Sequence, residues 1–253
     1  SGKGGVGKTT VSVNLAVTLA KLGYKTGLMD ADIYGPNVPL MMGIRAQPRA
    51  LDGRIQPLER FGVRLMSMGF LSPGDGPLVW RGPMLHNVIQ QFIRQVDWGT
   101  LDYLLIDLPP GTGDVQISLM QTTALTGAVV VTTPSDVSLE DARKAVHMFE
   151  QVRVPILGII ENMSYLVCPH CSERIDVFSH GGGERTAGQM NVRFLGELAL
   201  DPQVRIGGDT GKPVGLRDDS DPRAAAYSGI ARTLVKCAAE ARGITGPKIE
   251  IEE

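Results

Sequence analysis

The chain opens on Ser1-Gly2-Lys3-Gly4-Gly5-Val6-Gly7-Lys8-Thr9-Thr10, and this stretch constrains the fold more than any other. It fits G-x-x-x-x-G-K-[ST], a loop whose glycines let backbone N–H groups turn inward around an anion. Lys8 would reach the outer phosphates of a nucleotide, and the Thr9 hydroxyl would ligate Mg²⁺. The segment over residues 8–22 follows without a break and reads as a helix whose positive end points at the same phosphates, with Gly23 as its cap. A phosphate loop normally follows a buried strand. None stands ahead of Ser1, so the expectation is a truncated chain that lacks that strand.

A second lysine, Lys3, sits at the start of the loop, where the general pattern asks for only one. The stretch GKGGVGKTT resembles the deviant Walker A motif of the MinD/ParA/nitrogenase-iron-protein class. The resemblance makes Gly2, Lys3, Gly4, Gly5, Val6, Gly7, Lys8, Thr9 and Thr10 the nucleotide cradle. In that class the early lysine contacts nucleotide held by the facing subunit. Lys3 therefore implies a dimer with nucleotide near its interface, and joins Lys8 as a catalytic candidate.

Three later strands end in residues suited to the same ligand. Lys25–Met29 reads as a short buried strand ending at Asp30-Ala31-Asp32, beside a turn-rich Ile33-Tyr34-Gly35-Pro36-Asn37. Two carboxylates there can cap the turn or face Mg²⁺ and an attacking water. The class resemblance assigns Asp32 to water activation and Asp30 to the outer shell of the metal. Leu101–Ile106 is an apolar run of the kind buried on both faces in a parallel sheet. Its terminal Asp107 is the natural Walker B carboxylate. The turn after it, Leu108-Pro109-Pro110-Gly111-Thr112-Gly113, is rigid enough to sense a γ-phosphate, and Asp114 should cap the next helix. Ile156–Ile160 leads to Glu161-Asn162-Met163-Ser164. Asn162 lies where a base-recognition residue belongs, and the absence of N-K-x-D at this point favours ATP over GTP.

Elsewhere the chain alternates strand and helix. Arg54–Leu58 and Val63–Met68 are expected to pair as a hairpin, and Leu71–Leu78 to form a loop. Met84, Leu85, Val88, Ile89, Phe92, Ile93 and Val96 recur at helical spacing as a core stripe. Ala128–Thr133 reads as a strand, and Ser138–Val152 as a helix with Ser138 at its cap. A short helix over 181–190, a strand over Leu195–Leu200, a helical turn from Asp201 and a closing helix over Asp219–Arg242 complete the chain. This alternation implies a three-layer α/β fold with a mostly parallel sheet, read as a single P-loop domain over 1–253. Nucleotide belongs at the carboxyl ends of its strands.

Charge excludes some partners. Net charge is −2, so no global attraction to nucleic acid or anionic membrane exists. The tail Gly246–Glu253 is acidic and begins with helix breakers, unlike a basic membrane-binding helix. Arg217, Arg223 and Arg232 are scattered among acids, unlike a DNA-binding stripe. Three cysteines do not make a disulfide framework and suit a reducing cytoplasm. Cys237 stands among Val235, Ala238 and Ala239 and reads as a buried small side chain.

Cys168-Pro169-His170-Cys171 is the second informative stretch. It can be a redox pair, although such pairs open a helix after a strand. It can be half of a structural zinc site, which needs two further ligands from the same chain. It can also be pooled with the same pair of a second subunit to give the thiolates that an iron–sulfur cluster takes.

GKGGVGKTT, MDADIYGPN, LLIDLPPGTGD and ENMSYLVCPHC together resemble the Mrp/ApbC iron–sulfur cluster carrier ATPases, and the similarity covers essentially the whole chain. The last motif separates this family from MinD and ParA, which lack the cysteine pair. The resemblance implies an ATP-binding homodimer that holds a 4Fe–4S cluster between subunits, on Cys168 and Cys171 of each, and passes it to apo-proteins. It also implies an apolar strand just before the phosphate loop, at the centre of the sheet. The runner-up is a zinc-stabilised nucleotide switch acting only through protein contacts.

Overall fold

The structure is a computed structural model and describes residues 4–33, 35–71, 82–111, 116, 119–120 and 123–245. Gly2, Lys3, Asp114, the 72–78 part of the expected loop and the tail beyond residue 245 lie outside them.

Helix α1 (Lys8–Lys21) leaves the phosphate loop directly, and Gly23 turns the chain at φ 94°, a left-handed value that suits glycine. Strand β1 (Thr26–Asp30) follows, buried at every residue. A one-turn helix α2 (Val38–Met41) leads to two small hairpins. Strand β2 (Arg49–Leu51) pairs with β3 (Arg54–Gln56), and β4 (Leu58–Arg60) with β5 (Val63–Ser67), each antiparallel. The expected partnership of Arg54–Leu58 with Val63–Met68 is therefore replaced by two tighter hairpins. Asp52, Phe61, Gly53 and Gly62 take positive φ in the two connecting turns and close them locally.

Helix α3 (Gly82–Gln95), strand β6 (Tyr103–Asp107), strand β7 (Ala128–Thr132), helix α4 (Asp136–Gln151) and strand β8 (Ile156–Glu161) come next. Ser135, not Ser138, stands at the N-cap of α4 with extended backbone. Ser138 is buried one turn inside, bonded to the Thr133 and Ser135 hydroxyls. A minimal hairpin, β9 (Leu166–Val167) with β10 (Arg174–Ile175), carries the cysteines at its tip. Helix α5 (Gly182–Gln189), strand β11 (Phe194–Glu197), helix α6 (Pro202–Asp209) and helix α7 (Pro222–Thr245) finish the described chain. Asp201 caps α6 by accepting from the Gln203 amide.

The strands form two blocks, ordered β4-β5-β1-β6 and β11-β8-β7, and every pairing in them except β4–β5 is parallel. Alternation along each strand sends side chains to opposite layers. Leu28 of β1 faces α1, while its neighbour Met29 packs with Ile89 and Phe92 of α3. In the second block Val131 faces α1 and α7, while Val130 packs on Ala142 and Val146 of α4. Ile89, Phe92 and Val96 thus realise the predicted stripe of α3 as core. The result is helix, sheet, helix, the P-loop NTPase arrangement expected from the alternation.

Between β6 and β7 the blocks do not hydrogen-bond to each other. An apolar groove of about 470 Å³ separates them, lined by Leu105 of β6, Val129 and Val131 of β7, Leu15 and Leu19 of α1 and Leu234 of α7. The phosphate loop enters at the carboxyl-end rim of this groove, where Pro109 and Lys8 also line it.

Candidate functional site

Parallel register brings the strand ends together. Asp30 of β1 pairs with Asp107 of β6 on one side and Ser67 of β5 on the other. In the second block Glu161 of β8 lies between Thr132 of β7 and Glu197 of β11. The phosphate loop therefore sits over a row of polar strand ends.

The described part of the loop is shaped by close approach. Gly5 and Gly7 adopt φ 86° and 84°, and Gly7 also starts α1. A Cβ on Gly7 would come within 2.3 Å of the Asn162 side-chain nitrogen. That nitrogen donates to the Val6 carbonyl at 2.9 Å, so Asn162 fastens the loop to the end of β8. Thr10 is tied less tightly: its carbonyl accepts from Asn14, whose Oδ1 reaches the Gly215 amide.

Lys8 and the acids form one electrostatic group. Burial holds the Lys8 ammonium below its ordinary pKa, opposed by the charges of Asp107 and Asp32. Asp107 is buried, and burial pushes its carboxyl up; hydrogen bonds from Thr9 and Ser12 and the charge of Lys8 pull the other way. Its Oδ1 accepts from Ser12 at 2.8 Å, whereas Oδ2 is buried with no protein partner. A buried carboxylate oxygen left without a partner is costly unless a ligand or its water supplies one. The Thr9 hydroxyl and this oxygen are the hard oxygen donors that Mg²⁺ takes, so the residues present fit that ion.

Asp30 is fully buried and plays an inward part. Its Oδ1 accepts from the Asp32 amide at 3.1 Å, and its Oδ2 from the Ser67 hydroxyl at 2.8 Å and the Val38 amide at 3.4 Å. Burial raises its carboxyl from 3.8 to about 7. These bonds hold the turn that carries Asp32, which stays partly exposed toward Lys8.

The thiol pair is built differently. At the hairpin tip the Cys168 amide donates to the Glu173 carbonyl and the Ser172 amide to the Cys168 carbonyl, both at 2.9 Å, with Ser172 at φ 62°. The Cys168 sulfur accepts backbone N–H groups of Cys171 and His170, which lowers its thiol pKa and favours the thiolate that binds metals. Cys171 is exposed, and Cys237 is buried in the core. Among the described residues no group of three or more His, Cys, Asp or Glu side chains is arranged to hold a metal. His180 is engaged by Arg174 at 3.0 Å.

Arg174 was not singled out by sequence and anchors this hairpin. Its guanidinium grips Glu197 with two bonds of 2.7 and 3.0 Å, reaches Asp176 at 3.0 Å, and stacks 4.0 Å above the Tyr165 ring. The fork holds the Glu197 carboxyl below its usual range.

Residues 1–235 match the family described as ParA: NUBPL iron-transfer P-loop NTPase. The chain belongs to this family. Its likeness to named members runs nearly the whole length. It is 49% identical over 96% of its residues to an Arabidopsis thaliana "iron-sulfur protein required for NADH dehydrogenase, mitochondrial", of which it spans 78%. It is 48% identical over 92% of its residues to an "iron-sulfur cluster carrier protein" of Aquifex aeolicus, of which it spans 65%. Among solved structures it matches a nucleotide-binding protein of Archaeoglobus fulgidus in complex with ADP, at TM-score 0.75 and 38% identity over 86% of each chain. The septum site-determining protein MinD of Pyrococcus horikoshii, complexed with Mg-ADP, matches at TM-score 0.69 and 26% identity over 95% of this chain and 96% of that one. As a NUBPL-type P-loop NTPase the chain carries the fold, the loop and the strand-end acids of a nucleotide-binding protein. Among the described residues no helix is long and apolar enough to cross a membrane.

Proposed function

We propose that this chain is an ATP-binding, slowly hydrolysing carrier that assembles an iron–sulfur cluster at a dimer interface and hands it to apo-proteins. The observation that carries the reading is the Cys168/Cys171 pair on a hairpin tip, half-buried at Cys168 and exposed at Cys171, with no further ligand cluster among the described residues. Two thiols are half of what a cubane cluster takes, and a two-fold axis supplies the same pair again. The carrier names of the relatives support the cargo, and the ADP-bound relative supports the nucleotide.

In this reading Lys8 and the backbone of Gly4–Thr10 hold the phosphates. Lys3 reaches the nucleotide of the facing subunit, and Asn162 borders the base while it fastens the loop. Thr9 and Asp107 hold Mg²⁺, Asp107 through water, and the ion when bound neutralises charge on the phosphates. Asp30 keeps the Asp32 turn in place. Asp32 orients a water and takes its proton as the water oxygen bonds to the γ-phosphorus and the bond to the β-phosphate oxygen breaks, leaving ADP and phosphate. Hydrolysis acts as a timing signal, so turnover is slow. The cluster, bound by few protein ligands per chain at a subunit boundary, is held in a way that permits release.

The test is anaerobic purification followed by metal analysis and ATPase assay. Iron and sulfide at the thiol pair, with ATP turnover, are expected. Zinc in their place would return the nucleotide-switch reading.

A further inference from the structure

One four-residue turn touches both working sites. In Glu161-Asn162-Met163-Ser164, Asn162 bonds the phosphate loop at Val6, and Met163, at φ 55°, brings its Sδ-methyl near Gly7. On the other side the Ser164 hydroxyl lies 2.6 Å from Glu161 Oε1 and 2.8 Å from Glu197 Oε2. Ser164 and Glu161 are fully buried, and Glu161 also accepts the Gly183 amide at the start of α5. Glu197 then takes the Arg174 fork, and Arg174 is the anchor of the cysteine hairpin. The path from phosphate loop to thiols is thus Val6, Asn162, the turn, Ser164, Glu197 and Arg174, every non-covalent step a hydrogen bond.

Apart from the backbone bond that the Leu200 amide donates to the Tyr165 carbonyl at 2.7 Å, just ahead of its first strand, the hairpin is held largely by side chains. Its strands are two residues each, and Val167 and Ile175 are about half exposed, at 47% and 46%. The Arg174 fork and the Tyr165 stack are therefore the side-chain contacts that set its direction from that base. Ser164 has a single hydroxyl hydrogen facing two carboxylates, so a shift of the turn that favours Glu161 is a loss to Glu197. A bidentate guanidinium follows its carboxylate in direction as well as distance, which a lysine would not.

We propose that the Glu161–Ser164 turn and the Glu197–Arg174 fork couple the phosphate loop to the cysteine hairpin, so that nucleotide in the loop sets the exposure of Cys168 and Cys171. Arg174 and Glu197 are positioning residues in this account. The proposal rests on the reading of the loop and the thiol pair as the two working sites, but its test needs no iron.

The experiment is the rate of iodoacetamide labelling of the 168–171 pair in the full apo-chain, followed by mass spectrometry, with Mg·ADP and with a non-hydrolysable ATP analogue. The wild type should change rate between the two by about 5-fold or more, the lower end of ordinary coupling between sites. Arg174→Lys and the isosteric Glu197→Gln should bring that ratio to within about 2-fold of one, while nucleotide affinity stays within about 2-fold of wild type. Asp176→Asn, which loosens Arg174 without touching Glu197 or Ser164, should keep the nucleotide effect. A wild type blind to nucleotide, an effect that survives in both fork variants, or an equal loss in Asp176→Asn would overturn the coupling. Iron loading of the same wild-type preparation is scored separately. A chain that fails to load iron yet keeps a fork-dependent labelling ratio retires the carrier reading and leaves the coupling standing.

Discussion

The phosphate loop and the cysteine hairpin sit on the same polar end of the molecule and are built on opposite plans. The loop is set into the core: Val6 is buried, Asn162 bolts it to β8, and α1 behind it packs on both blocks of the sheet. The hairpin stands on two-residue strands with exposed apolar side chains and one arginine at its base. Burial governs charge in the first region and raises Asp30 and Asp107. Hydrogen bonds and pairing govern it in the second and lower Glu197 and Cys168. A preorganised site spends little free energy on rearrangement when its ligand arrives. A lightly tethered one can move and let go. The comparison teaches that, on one polar end of this fold, one region is built to grip and its neighbour is only lightly tethered.

The largest effect should come from the groove beneath the loop. An apolar strand joined ahead of Ser1 and laid between β6 and β7 would bury three or four branched side chains, each worth about 1.5–3 kcal/mol. That sums to roughly 4.5–12 kcal/mol as an upper figure, against about 5–15 kcal/mol for a whole domain. Residues 1–253 expressed alone should be marginal or aggregate through the two facing strand edges, and the extended chain should melt far higher. Equal melting temperatures for the two chains would show that the groove is not a strand site.

Next comes chemistry confined to the gripping end. Asp32→Ala should slow ATP turnover by roughly 10²–10⁴-fold, the usual range for a positioned base. Nucleotide binding and iron loading should persist. Wild-type turnover in this variant would remove Asp32 from the role, and loss of iron would mean that Asp32 also supports the thiol site.

Gly7→Ala sharpens the same contrast at a smaller scale. A left-handed backbone costs a non-glycine residue roughly 1–2 kcal/mol, and the new Cβ would press on the Asn162 amide at 2.3 Å. The melting temperature should fall by roughly 2–8 °C, at about 2–4 °C per kcal/mol for a chain of this size. Nucleotide affinity should fall with it, and because Asn162 begins the path to the hairpin, the nucleotide-dependent change in thiol alkylation should shrink as well. An unchanged melting curve would mean that the loop is not braced by Asn162.

The smallest effect is a divergence with pH. Asp30 has a folded pKa above its unfolded one, so the stability it lends is complete below about pH 4 and is lost as pH rises through about 7. Glu197 is the reverse: its contribution is present above its ordinary value of 4.5 and is lost as pH falls through its lowered one. Acidification should therefore loosen the hairpin and not the β1 end. Hydrogen exchange at the Cys168 and Ser172 amides should quicken on going from neutral to acid pH, after correction for intrinsic rates, while that of Ala31 does not. Parallel changes in both would contradict the opposed shifts.

Much of this was legible in sequence because the gripping end is written in local motifs. The phosphate loop carries its own glycine and lysine pattern, Asp30, Asp32, Asp107 and Asn162 each follow an apolar run, and parallel register then aligns strand ends without further information. Core facing followed from helical spacing, as Ile89, Phe92 and Val96 illustrate. The failures were of pairing and of scale. Arg54–Gln56 turns back on Arg49–Leu51 across Asp52-Gly53, a two-residue hairpin signal present in the sequence that the expected longer pairing passed over. Ser135 and Ser138 differ by one turn, and both are serines ahead of the same helix. The tether of the cysteine hairpin was invisible: Arg174 and Glu197 are 23 residues apart, Ser164 is one polar residue in a loop, and no spacing rule joins them. Such a network exists only after β8 and β11 have paired.

The central claim is that two copies of the hairpin hold one cluster, and iron stoichiometry measured against oligomeric state tests it most directly. Anaerobically reconstituted protein should be a dimer carrying about four irons per two chains, the content of one cubane cluster. Cys168→Ala and Cys171→Ala should each abolish loading, because both subunits lose a ligand at once, while Cys237→Ala, buried in the core, leaves it unchanged. A monomer holding a full cluster, or a Cys168→Ala chain that keeps one, would contradict the account.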